Sequence, residues 1–182
     1  LLHKQGDMMF NYKTLVMILV SLVTLYTAPT ISAEYVNTLA EKEVTAEYNK
    51  QVECLAKNIY YESGSEKYEG KLAVAQVTLN RVNSGKFPSD ICSVVYQKTT
   101  DQNLRTVCQF SWTCMVKEMV KKDKYMWEES VNIAKRALTE PFVHDTIAQS
   151  NALYFHAVYI KPNWSQTKVV KQIGNHIFYS KI

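Results

Sequence analysis

The sequence holds no G-x-S-x-G, no glycine-rich phosphate loop and no H-E-x-x-H. These absences argue against a serine-hydrolase elbow, a nucleotide cradle and a zinc-protease helix. None of its four cysteines forms a C-x-x-C pair, and His144, His156 and His176 lack metal-ligand spacing. Neither a metal nor any other cofactor is therefore expected. No block of Lys and Arg resembles a nucleic-acid arm, since Lys121-Lys122 is broken at once by Asp123, and no nucleic-acid partner is expected. The longest apolar run falls short of the roughly 20 residues that span a bilayer. Internal repeats and low-complexity segments are also missing.

What is present is one domain's worth of chain, 182 residues, with a formal charge of +4 and 12 tyrosines. That length suffices for a real core, and the positive charge favours docking on an anionic polymer. Lys13, the apolar run Leu15 to Tyr26 and the small residues from Ala28 to Ala33 have the layout of a secretory signal peptide. The chain opens on Leu1, and Met8 or Met9 is a candidate start. Residues 1–33 are read as that signal, with cleavage after Ala33 and no stable membrane anchor afterwards. Residues 34–50 are read as a linker or a loosely docked helix. Cys54, Cys92, Cys108 and Cys114 all lie past the signal and fit an exported protein. Four cysteines allow three pairings; the favoured one closes a tight loop with Cys108–Cys114 and joins two helices with Cys54–Cys92.

From Gln51 the pattern tightens. Val52, Leu55, Ile59 and Glu62 fall on one helical stripe, so Glu62 continues the face that turns to the core. A carboxylate there is partly desolvated, which raises its pKa and suits a general acid; the plain alternative is a solvated helix-end glutamate. Gly64 is expected to stop the helix in a left-handed conformation, and Ser63-Gly64-Ser65-Glu66 fits a capping box that starts a second helix near Ser65. That helix carries Tyr68, Leu72, Ala75, Leu79 and Val82 on one face. Asp90 caps a short third helix through Tyr96. Residues 97–124 read as a polar loop interrupted by Cys108-Gln109-Phe110-Ser111-Trp112-Thr113-Cys114, either a binding platform or a plug into the core. A helix through Trp127, Val131, Ala134 and Leu138 is stopped by Pro141. A strand over Ala152–Val158 and a hairpin over Lys168–Tyr179, turning at Gly174-Asn175, complete an α+β domain with its strands at one end.

Carboxylate chemistry plus aromatics in an exported chain points to glycan cleavage. Asn58 to Glu66 with Tyr68-Glu69-Gly70, Ala73 to Val82, Phe87-Pro88, Cys108 to Trp112, Ala152 to His156 and Ile173 to Phe178 occur in order. On these motifs, covering roughly Val52 to Tyr179, the chain resembles the SleB-like cell wall hydrolases, the family of spore-cortex lytic enzymes and their bacterial and phage relatives. Where that family usually reads E-A-R-G-E, this chain has Glu62-Ser63-Gly64-Ser65-Glu66, with both acids kept. The upstream peptidoglycan-binding repeat of some relatives has no counterpart here, so wall affinity is expected from the catalytic domain itself.

The resemblance implies a lysozyme-related, α-rich lytic transglycosylase-like domain over residues 51–182 with a small C-terminal hairpin region. Its substrate would be peptidoglycan glycan strands and its acid/base Glu62. Phe110, Trp112, Tyr154 and Trp164 are candidates to stack on sugars, and Gln109 and His156 to hydrogen-bond them. Tyr61, Glu66, Asn80 and His176 are candidate supporting residues. Either Tyr60 or Tyr61, but not both, packs against Glu62. For each aromatic the plain alternative is core packing, preferred for Phe155 and Phe178. Glu66 and Glu69 read more simply as a cap partner and a solvated face, and Arg81 as a surface ion-pair residue. Two rivals stand beside this expectation: a hydrolytic muramidase with Glu66, Glu69 or Asp101 as base, and an inactive secreted wall-binding module.

Overall fold

The computed structural model describes residues 12–115, 123–140, 144–162 and 167–182. Two compact units divide the chain, Leu1–Ala46 and Glu47–Ile182. Helix α1 (Tyr12–Ser63) begins in the first unit and ends in the second. Residues 34–50 are helical and exposed throughout. Among the described residues, no helix is long and apolar enough to cross a membrane.

In the second unit the stripe read from sequence becomes the first core seam. Val52, Leu55 and Ile59 are buried, while Glu62, one step further on, is only partly covered. The helix does not stop as expected, because Gly64 has no positive φ. Its lack of a side chain serves another purpose: a Cβ there would lie 2.4 Å from the Tyr60 carbonyl oxygen. The capping box does not form either. Ser63 Oγ donates back to Ile59 O at 2.9 Å, and α2 (Tyr68–Asn83) starts three residues later than predicted, behind Lys67.

Helix α2 is the centre of the unit. Its Leu72 and Ala75 join a cluster with Val52, Leu55, Ile59, Phe110 and Trp112, whereas Ala73, Val74 and Val77 join a second cluster with Ile147, Ile173 and Phe178. A helix covered on opposite faces is buried nearly all round, so the single amphipathic stripe describes only half of it. Tyr68, at the head of that stripe, is exposed, and its hydroxyl accepts from Arg136 Nη1 at 2.9 Å.

Helix α3 (Ile91–Val95) is capped by Asp90, which accepts from Ser93 N at 2.8 Å. Cys92 on α3 is bonded to Cys54 on α1. The segment read as a loop holds a two-stranded antiparallel hairpin, β1 (Lys98–Thr100) and β2 (Thr106–Cys108), then a single turn, α4 (Trp112–Met115). Alternation is invisible over three-residue strands, which explains the omission. Helix α5 (Lys124–Thr139) forms as predicted and is capped by Asp123; Pro141 lies outside the described residues. A five-residue helix α6 (Asp145–Gln149) was not foreseen. Strands β3 (Tyr154–Ala157), β4 (Thr167–Ile173) and β5 (His176–Lys181) form an antiparallel sheet in the order β3-β5-β4. The β4–β5 turn is Gly174-Asn175, with Gly174 at φ +56°.

Candidate active site

Four elements converge on one small cleft of about 240 Å³. The end of α1 brings Glu62, α2 brings Arg81, the loop after β2 brings Gln109, Phe110 and Ser111, and β3 brings Tyr154 and Phe155. The loop is closed by the Cys108–Cys114 disulfide and pinned by Gln109 N donating to Gln97 O at 2.9 Å. Larger depressions exist. One of about 500 Å³ over Asn80, Asn83, Lys86 and Lys181 has no carboxylate among the described residues that line it. One of about 790 Å³ holds Glu47 and Asp90, whose carboxyls are kept below the usual range by hydrogen bonds from Gln51 and Ser93, respectively, rather than raised. Chemistry, rather than size, selects the site.

Among the described residues, Glu62 is the one carboxylate lining this cleft. Desolvation among the neighbouring aromatic residues pushes its pKa up to about 7, and the positive charge of Arg81 limits the rise. The sequence expectation of a desolvated carboxyl on the core-facing stripe thus has a structural cause.

Arg81 is the residue the sequence reading undervalued. It is buried, not on the surface. Its Nε donates to Leu153 O at 2.8 Å, and its guanidinium lies 5.2 Å from the Phe87 ring centre and 4.9 Å from that of Phe110. With the Gln109 amide turned so that its oxygen faces the guanidinium, it accepts from Nη1 and Nη2 at 3.2 Å each. Burial lowers the Arg81 pKa to about 10, which still leaves a cation at neutral pH. Only the tertiary fold reveals these partners; the Asn80-Arg81 dipeptide alone does not.

The remaining candidates are placed differently. Phe110 is a buried wall, 3% exposed, with a ring 6.4 Å from that of Phe155. Trp112 is no open platform: it is 7% exposed, stacked on Tyr61 at 4.6 Å and met edge-on by Tyr96 at 5.7 Å. Its indole N–H donates to Asn58 Oδ1 at 3.1 Å, and Asn58 Nδ2 donates to Thr78 Oγ1 at 3.2 Å. Buried polar groups need such partners, so Asn58 ties α1, α2 and α4 together, a role not assigned from the motif. Tyr61 therefore supports Trp112, while Tyr60 Oη accepts from Asp123 N at 2.9 Å.

Asn80 is structural as well. Its Nδ2 donates to Ile147 O and Ala152 O at 2.9 Å each, holding the α6–β3 connection against α2. His156 is stacked on Tyr179, with Nε2 2.8 Å from the Tyr179 hydroxyl. It lines a neighbouring depression with Lys161 and Thr167 rather than the Glu62 cleft. His176 is buried edge-on to Phe155 at 5.3 Å, with Nδ1 3.9 Å from Glu66 Oε1. Trp164 lies outside the described residues.

The other carboxylates proposed as bases are engaged elsewhere. Glu66 reaches Asn175. Glu69 accepts from Lys171 Nζ at 3.2 Å and lies 3.5 Å from His144 Nε2. Asp101 accepts from Arg105 Nε and from the backbone of Asn103 and Arg105, each at 2.8 Å. Among the described residues no group of three or more His, Cys, Asp or Glu is arranged to hold a metal ion.

Comparisons with known proteins converge on one group. A model of the Cell Wall Hydrolase family matches residues 65–179, beginning three residues after Glu62. A spore cortex-lytic enzyme of Oceanobacillus iheyensis is 30% identical over 129 residues, 70% of this chain and 40% of that protein. The chain thus spans less than half the length of that relative. The crystal structure of the catalytic domain of the Bacillus cereus SleB protein aligns with a TM-score of 0.53 at 25% identity, covering 72% of this chain and 91% of that one. The catalytic domain of the germination-specific lytic transglycosylase SleB from Bacillus anthracis aligns with the same TM-score and identity, covering 71% and 93%.

Proposed function

Since the chain belongs to the cell wall hydrolase family, we propose that it cleaves the β-linkage from N-acetylmuramic acid to N-acetylglucosamine in peptidoglycan, with Glu62 as the single acid/base. The observation that carries this reading is the setting of Glu62, a carboxyl raised to about 7 in a cleft with no second carboxylate among the described residues that line it. A group with that pKa is substantially protonated at neutral pH and still basic once ionised, which one residue needs to serve both steps.

In the first step Glu62 gives its proton to the glycosidic oxygen. The C1–O bond breaks with its electrons on the departing sugar, and positive charge develops at the muramic anomeric carbon. The Glu62 carboxylate then takes the proton of the muramic 6-hydroxyl as that oxygen bonds to C1. An anhydro sugar results, Glu62 is protonated again, and no water is consumed. Arg81 holds the pKa of Glu62 from rising further, and its contacts with Leu153 O and Gln109 hold β3 and the cross-linked loop as walls. Tyr154 and Gln109, which line the cleft, are the residues expected to meet sugar on this reading. The engagement of Glu66, Glu69 and Asp101 elsewhere supports this route over a hydrolytic one, and the similar Bacillus anthracis domain is itself described as a lytic transglycosylase. An exported site of action, reached through residues 1–33 as a signal, is part of the same reading and draws support from the two disulfides.

Substituting Glu62→Gln keeps the shape and removes the proton. The variant is expected to lose clearing of purified sacculi by at least about a thousandfold, since neither protonation nor deprotonation remains, while melting at or above the wild-type temperature. Lysis at the wild-type rate contradicts the assignment. Binding of wild-type protein to sacculi with no fragments released supports the binding-module alternative instead.

A further inference from the structure

Glu66 lies four residues beyond Glu62, in the turn between α1 and α2, yet its side chain is only 7% exposed. Its Oε2 accepts from Asn175 N at 3.2 Å and its Oε1 from Asn175 Nδ2 at 3.0 Å, a link across 109 residues of chain. Two glycines make room for it. A Cβ on Gly70 would lie 3.0 Å from Glu66 Cβ, and one on Gly174 would lie 1.9 Å from Oε2. Gly174 is further restricted by its φ of +56°, a region where a side chain adds strain. A buried carboxylate is a poor source of net stability, because its desolvation offsets much of what its partners return. The arrangement therefore calls for another reason.

That reason lies in what the β4–β5 turn controls. The residue after it, His176, opens β5, and β5 pairs with β3 so that Phe178 faces Phe155 and Tyr179 faces Tyr154. His176 lies between the two sides, with Nδ1 3.9 Å from Glu66 Oε1 and its ring edge-on to Phe155. One wall of the Glu62 cleft is thus β3, and the end of α1 is another. Glu66 is fixed to the second and bonded to the turn that sets the first.

We propose that Glu66 is a positioning residue, a latch between the Glu62-bearing end of α1 and the β4–β5 turn that holds the acid at a set distance from the Tyr154–Phe155 wall. This rests on the reading of Glu62 as the acid. It gives the second carboxylate of the glutamate motif a task other than chemistry, and it gives Gly174 a specific one: leaving space for the Glu66 carboxylate.

The test is a mutant cycle with full kinetics on a soluble peptidoglycan fragment. Glu66→Ala removes the latch, and Gly174→Ala expels the carboxylate while leaving residue 66 intact. Each single variant is expected to lower kcat about tenfold or more with KM changed by less than about threefold. The double variant should be no worse than the poorer single one, because both changes break the same contact. Losses that multiply, a fall expressed only in KM, or wild-type kcat in Glu66→Ala overturns the latch. Titrating Glu62 by carboxyl-carbon NMR provides a readout that needs no turnover. In Glu66→Ala its pKa should move down towards the ordinary carboxylate range as the loosened cleft admits water, and an unmoved value contradicts the proposal. Should Gly174→Ala fail to fold, Glu66→Ala and the NMR titration decide. A wild-type protein that cleaves no glycan would overturn the reading of Glu62, whereas an unmoved titration in a competent enzyme would overturn only the latch.

Discussion

A carboxyl and a guanidinium share one small cleft, where burial and the Arg81 charge act in opposite directions on Glu62. Burial raises Glu62 and the Arg81 charge restrains it. On the proposed route the first step needs Glu62 protonated, so kcat/KM should fall as pH rises through about 7. Replacing Arg81 by Met keeps bulk but removes the restraining cation, so Glu62 is left with desolvation alone. The alkaline limb of the profile should then move to higher pH; a limb that stays or moves down contradicts the coupling. Stability should also fall, by about 1–3 kcal/mol, because Leu153 O loses a buried donor. At this scale the sequence was informative about Glu62 and misleading about Arg81. The place of Glu62 on a helical stripe is a local fact, readable from spacings of three and four. The burial of Arg81 depends on the Leu153 carbonyl, the Gln109 amide and the Phe110 ring, all far from it in sequence, with the nearby Phe87 ring beside them.

Elements that repeat a local pattern were legible, and those defined by what lies opposite were not. The α1 seam, the Asp90 cap, α5 and the β4–β5 hairpin follow from periodicity and turn chemistry. The Phe110–Trp112 segment did not, because the same aromatics suit a platform or a plug. Tyr61, Tyr96 and Asn58 decide for the plug at Trp112. Glu66 shows the same limit, since its partners sit in a turn more than a hundred residues away. The two disulfides, favoured from sequence among three pairings, should separate stability from function. Cys54–Cys92 closes 38 residues and Cys108–Cys114 closes 6. On chain entropy alone they contribute about 4 and about 2 kcal/mol respectively. Replacing Cys54 and Cys92 by Ser should therefore lower the melting temperature more. Replacing Cys108 and Cys114 by Ser should lower activity more, since their loop forms a wall of the Glu62 cleft. The two double variants ranking alike in both measurements would contradict this division.

At the scale of the whole molecule, a central helix buried on two faces supports an acid on one neighbouring element and a β wall on another. That architecture is the α+β arrangement expected from four helices followed by strands, with α2 more enclosed than its single stripe implied. The positive charge of the chain, +4, suits an anionic wall polymer, and among the described residues the cleft holds one carboxyl, that of Glu62. The central claim is that this carboxyl acts alone and that the muramic 6-hydroxyl takes the place of water. Mass spectrometry of fragments released from purified sacculi by the wild-type protein tests it most directly. The account predicts anhydro-muramic ends from the earliest time points; reducing muramic ends, one water heavier, would contradict it.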